Sequence, residues 1–182
     1  LPVADNYADS KYPASAYGHT SFLYVGNAYD RAQDIWGSER IYIRFDLDQI
    51  PKGRTILQAT LRLWQYYAPS SEQHYETHRV LEDWDEFKEN WNNQPTWAEA
   101  KTSETVAPAQ SEVAVEWDIT SDAKAWYSGE ADNYGTMIKV AVEEHARDAS
   151  SGFWSKEYPE DEWKPRLVLA IQGDPALTYS VK

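Results

Sequence analysis

Apolar residues recur at every second position in short runs, and that period constrains the chain more than any other feature. Ile41, Ile43 and Phe45 alternate with Tyr42, Arg44 and Asp46. Ala59, Leu61 and Leu63 alternate with Arg62, Trp64 and Tyr66, and Val113, Val115 and Trp117 with Ala114, Glu116 and Asp118. Ile138, Val140 and Val142 repeat the pattern, as do Leu167, Leu169 and Ile171. Side chains on a strand point alternately to opposite faces, so this period predicts antiparallel strands with one apolar face. Gly, Pro, Asn and Asp clusters separate the runs, and Pro51-Lys52-Gly53 reads as a turn between two of them. The fold class that follows is all-β, an antiparallel sandwich.

One interruption has helical character. Thr120–Ser128 carries Thr120 or Ser121 as a cap, Asp122 in the first turn and Gly129 as a stop, with Trp126 packing the helix over an open end of the sandwich. Residues 83–95 are polar and aromatic and read as a structured loop with a helical turn. Residues 1–174 form a single domain. After Gly173-Asp174-Pro175 the tail 175–182 regains strand character, with Leu177, Tyr179 and Val181 on one face. It reads as an extra C-terminal strand, placed on the home sheet edge or on a neighbouring subunit.

Composition excludes several functions. The 182 residues hold 17 Lys plus Arg against 30 Asp plus Glu, a formal charge of −13. Such a chain suits neither a phosphate backbone nor an anionic lipid surface, so nucleic-acid and membrane partners are not expected. No apolar run approaches the length of about 18 residues that a membrane-spanning helix needs. Cysteine is absent, which removes disulfides, thiolate metal sites and a cysteine nucleophile.

Candidate chemistry is sparse. His74 and His78 would share a helix face, but on a strand at about 3.3 Å per residue they stand about 13 Å apart. One zinc with bonds of about 2.0–2.1 Å cannot take both. Glu143-Glu144 suggests a glycosidase pair only if two carboxyls meet across a cleft, and solvated surface acids are the simpler reading. No nucleophile elbow or phosphate-binding glycine loop occurs, so no catalytic residue is assigned. Calcium is the metal that fits oxygen-rich loops. Asp5, Asp9, Asp30, Asp34, Asp132 and Asn133 fall in expected loops, and Asp5 and Asp9 are the first candidates as ligands to a structural Ca²⁺.

Aromatics carry the strongest functional signal, with 9 Trp and 13 Tyr against 4 Phe. An indole face suits the C–H bonds of a sugar ring, while planar polar groups suit its hydroxyls. Arg62, Trp64 and Tyr66 supply that mixture on the face opposite the core, and Tyr42 and Arg44 on the equivalent face of the preceding strand. Were the two strands paired, these five would meet as one aromatic and basic patch.

The order of motifs resembles a DNRLRE-type domain, which overlaps carbohydrate-binding module family 96 and the disaggregatase-related repeats. The resemblance rests on Ala4-Asp5-Asn6-Tyr7-Ala8-Asp9-Ser10, Leu23-Tyr24-Val25-Gly26, Arg44-Phe45-Asp46-Leu47, Trp84-Asp85-Glu86, Trp91-Asn92-Asn93-Gln94-Pro95, Trp117-Asp118-Ile119-Thr120 and Pro165-Arg166-Leu167-Val168. It implies a jelly-roll β-sandwich, secreted or on the cell surface, that binds glycan or attaches to a surface without catalysis. Under it, Trp84, Trp91, Trp117 and Trp126 are packing residues, whereas Trp36, Trp97, Trp154 and Trp163 are less constrained. Residues 29–38 form an insertion relative to the pattern. The tail supports an alternative, a structural subunit that polymerises by terminal-strand exchange through Leu177, Tyr179 and Val181. A polysaccharide-active enzyme on the same scaffold is the third reading.

Overall fold

The computed structural model describes residues 1–144 and 147–172, and the backbone of 179–180. Among the described residues, eleven antiparallel strands join in one curled sheet that closes into two layers around a common core. One layer runs β1 (Ala4–Asp9), β3 (Ile35–Arg44), β8 (Thr136–Val140), β5 (Gln73–Arg79) and β6 (Ser103–Ala107). The other runs β2 (Phe22–Asp30), β9 (Ala149–Trp154) and β4 (Ile56–Tyr67), and β4 also pairs β7 (Val113–Asp118) and β10 (Arg166–Ile171). The β2–β3 hairpin carries the chain from one layer to the other. The insertion at 29–38 is therefore the extended tip of that hairpin, with Tyr29 opposite Trp36.

Period two decides the packing. Ile41 and Ile43 of β3, Leu61 and Leu63 of β4, Val115 and Trp117 of β7, Ile138 of β8 and Leu167 and Leu169 of β10 fill one core. Trp117 is fully buried, with its ring edge on Phe153 (6.1 Å between centroids) and its indole N–H donating to the Tyr75 carbonyl at 3.1 Å. Val142 departs from the expected pattern: β8 ends at Val140 and Val142 is exposed.

The helix α1 (Thr120–Ser128) has the expected bounds, and Trp126 packs into the main core. Its cap differs from expectation. Ile119 occupies the N-cap, and neither Thr120 nor Ser121 caps through its side chain. Asp118 instead accepts from the Thr120 amide at 2.9 Å, which frees the Thr120 hydroxyl to accept from the Ala59 amide of β4. Gly129 ends the helix in the left-handed region (φ 77°), where a Cβ is disfavoured. The expected helical turn within 83–95 is the 3-10 turn Trp91–Asn93, closed by a reciprocal Asn90–Asn93 capping box.

Candidate functional site

The outward positions of β4 build an aromatic platform. Since Leu61, Leu63 and Gln65 turn inward, Arg62, Trp64 and Tyr66 turn outward. Residues after β9 fold back over them. Tyr66 stacks on Trp154 (4.0 Å), Trp154 on Tyr158 (3.8 Å), Tyr158 on Trp163 (5.9 Å) and Trp163 on Trp64 (6.2 Å). The Tyr66 hydroxyl donates to that of Tyr24 at 2.8 Å, and burial raises the Tyr66 hydroxyl above its ordinary pKa. Gly152 makes the arrangement possible. A Cβ there would lie 2.9 Å from ring atoms of both Tyr24 and Tyr66. Five rings thus form one stacked run, each residue partly exposed.

Polar groups border the rings. Arg62 pairs with Glu116 at 2.9 Å with both side chains about half exposed, and Arg166 of β10 lies directly opposite Arg62. Ala114 stands opposite Trp64 and leaves that flank of the indole low. Planar donors and acceptors beside flat apolar faces are the components that a sugar ring requires.

Tyr42 and Arg44 do not join this surface. The single patch expected from sequence needed β3 and β4 to pair, but they lie in opposite layers. Tyr42 is fully buried beneath the loop 81–98, with its hydroxyl donating to Gln94 Oε1 at 2.8 Å and its ring edge-on to Trp84. Arg44 lies over Trp84 and pairs with Asp83 at 2.5 Å. Nearby, Arg40 is held between Trp91 and Trp97 (4.4 and 4.9 Å to the ring centres) and forks onto Glu143 at 2.7 and 2.6 Å. This second aromatic group is packing: it fastens the loop to the sheet, and Glu143 is committed to Arg40.

The two histidines also separate. Both lie on strand β5, where His74 pairs with Glu104 at 2.6 Å while His78 is buried against the Ala98 carbonyl at 2.9 Å. They share no site.

Asp5 and Asp9 both lie in strand β1 rather than in a loop, four positions apart, and so at a spacing of about 13 Å that no single ion bridges. Asp9 pairs with Lys11 at 3.0 Å. Asp5 instead faces Glu86 and Glu157, with one carboxylate oxygen of each residue within 4.8 Å of the others. Burial pushes the Asp5 carboxyl up to about 8.

Among the proposed intersubunit residues, Tyr179 lies in β11 (Tyr179–Ser180), which pairs with β10 of the same chain at Leu169. Leu177 and Val181 lie outside the described residues.

Sequence reasoning put Arg62, Trp64 and Tyr66 on the face of their strand opposite the core, where they lie; it left Trp154 and Trp163 unplaced and did not single out Tyr158. The alternation Phe153 inward and Trp154 outward was the available signal.

Residues 1–171 match carbohydrate-binding module family 96, and the chain belongs to that family. No curated protein matches it. Among the described residues no helix is long and apolar enough to cross a membrane.

Proposed function

We propose that the chain is a non-catalytic module that holds a glycan chain on the platform formed by Trp64, Tyr66, Trp154, Tyr158 and Trp163. The observation that carries this reading is the run of stacked, partly exposed rings, 3.8–6.2 Å apart, on the outer face of one layer. Aromatic side chains lose little conformational entropy on binding, because their stacking already fixes them. Arg62 is offset by Glu116 and the chain carries a formal charge of −13, which favours a neutral glycan over an anionic one such as alginate. In this reading the polymer is an extracellular one, and the module acts secreted or at the cell surface.

Affinity electrophoresis through gels containing xylan, hydroxyethyl cellulose, galactomannan or alginate tests it. At least one neutral polymer is expected to retard the wild-type chain. Trp64→Ala and Tyr158→Ala are each expected to weaken binding by about 2 kcal/mol, roughly thirtyfold, because each removes an aromatic anchor. Unretarded migration in every neutral gel would defeat the reading.

A second reading has its own observation. Among the described residues β11 pairs with β10 at Val168–Ser180 and Leu169–Tyr179, at the edge of the sheet. An edge strand of this kind suits exchange between copies, and head-to-tail exchange does not close. In that case the chain is also a subunit of an extracellular filament or layer. Deleting residues 173–182 is expected to remove polymers seen by electron microscopy while leaving glycan binding unchanged. Polymers that persist after the deletion would refute strand exchange.

A further inference from the structure

We propose that Asp5, Glu86 and Glu157 form a binding site for a hard divalent cation, calcium above all. Three segments distant in sequence converge there: strand β1, the loop after β5, and the loop that leaves β9. With all three ionised, the carboxylates against the single ammonium of Lys156 leave two negative charges, the complement of one divalent ion.

An acidic cluster alone is no site, and a second observation points to a ligand. Asp5 is only 1% exposed, yet its Oδ1 is buried with no hydrogen-bond partner. Its other oxygen accepts from the Lys156 amide at 2.8 Å. A buried carboxylate oxygen without a partner is costly, and a cation supplies the missing contact. Glu86 Oε2 accepts from the Asp5 amide at 3.1 Å and lies 3.1 Å from Lys156 Nζ. Glu157 lies 2.5 Å from the same ammonium and accepts from the Ser155 hydroxyl at 3.2 Å.

The donors are all oxygen, which selects calcium over zinc or copper. Carboxylates binding through one or two oxygens each provide three to six ligands, and water completes the shell. The Glu157 side chain is about a quarter exposed and gives a path of entry. Lys156 Nζ bridges Glu86 and Glu157, so binding requires the ammonium to swing outward.

Calcium here ties the loop after β9 to β1. Because that loop carries Tyr158 and follows directly on Trp154, the ion also steadies the platform; this last consequence alone rests on the glycan-binding reading.

The test is calorimetric titration of the full chain with CaCl₂ after treatment with EDTA, in the absence of any glycan. One ion per chain is expected, with a dissociation constant of about 1 mM or tighter. Asp5→Asn and Glu157→Gln are each expected to weaken binding at least tenfold. Lys156→Met is expected to tighten it at least threefold, because a competing cation is removed. Should Asp5→Asn fail to fold, Glu157→Gln carries the same test at a partly exposed position. No binding by about 10 mM calcium, unchanged affinity in the carboxylate variants, or no gain in Lys156→Met would each overturn the proposal. Since no sugar is present, such a failure leaves glycan binding unaffected.

Discussion

Trp117→Ala is expected to lower the free energy of unfolding by about 3–5 kcal/mol, the largest single-residue effect in the chain. Trp117 is completely enclosed between the layers and touches Phe153. Its removal leaves a cavity that strands on both sides hold open, because β4 and β5 are fixed by their own ladders. The loss has a polar component as well, since the Tyr75 carbonyl loses the indole N–H at 3.1 Å. Urea denaturation followed by circular dichroism measures it. Trp117→Phe is expected to fall between the two, because it restores volume without the donor. A shift in midpoint equivalent to under about 1 kcal/mol for the alanine variant would mean that this indole is not central to the core.

Stability is expected to fall as pH rises from about 4 to about 8, because burial raises two carboxyls, Asp5 to about 8 and Glu89 to about 7. Glu89 is 2% exposed, its Oε1 has no partner, and burial pushes its carboxyl up to about 7 against the one bond that its Oε2 accepts from Asn6. The folded chain therefore binds more protons than the unfolded chain within that window. The favourable contribution is complete below the unfolded pKa near 4.5 and is lost through the folded pKa near 7. Its size is on the order of 3 kcal/mol. Glu39, buried beside Lys11 and Ser150, is raised by burial and acts in the same direction. Glu89→Gln keeps the shape and the neutral state, so the variant is expected to lose the Glu89 share of the slope, between about 4.5 and about 7, and to exceed the wild type in stability at pH 8. Parallel stability curves for the two chains between pH 5 and pH 8 would contradict the assignment.

Local pattern carried much of the fold. Leu61 and Leu63 face the core and Trp64 and Tyr66 face away because a strand's period is a property of the strand alone. Thr120–Ser128 is helical because its stop signal, Gly129, is adjacent. The all-β sandwich of family 96 followed from such patterns and from the order of motifs.

What the sequence concealed is long-range. β3 and β4 are consecutive, yet the connection at 45–55 crosses between layers, and so Tyr42 and Arg44 were placed with Trp64 wrongly. Tyr158 lies in irregular chain and Trp163 at the end of the short 3-10 turn Asp161–Trp163, with no period to reveal which face they cover. Asp5 and Glu86 are 81 residues apart, and only folding brings them together. Asp9 resembled Asp5 in sequence, but Lys11, two residues on, claims its carboxylate.

The nine indole N–H groups offer the most direct test of the glycan platform. In a ¹⁵N NMR titration with a neutral β-1,4-linked oligosaccharide that the electrophoresis identifies, the signals of Trp64, Trp154 and Trp163 are expected to shift. Those of Trp84, Trp91, Trp97 and Trp117 are expected to stay in place, because they serve the buried groups of the fold. Shifts confined to the second set, with Trp64, Trp154 and Trp163 unmoved at saturating sugar, would contradict the account.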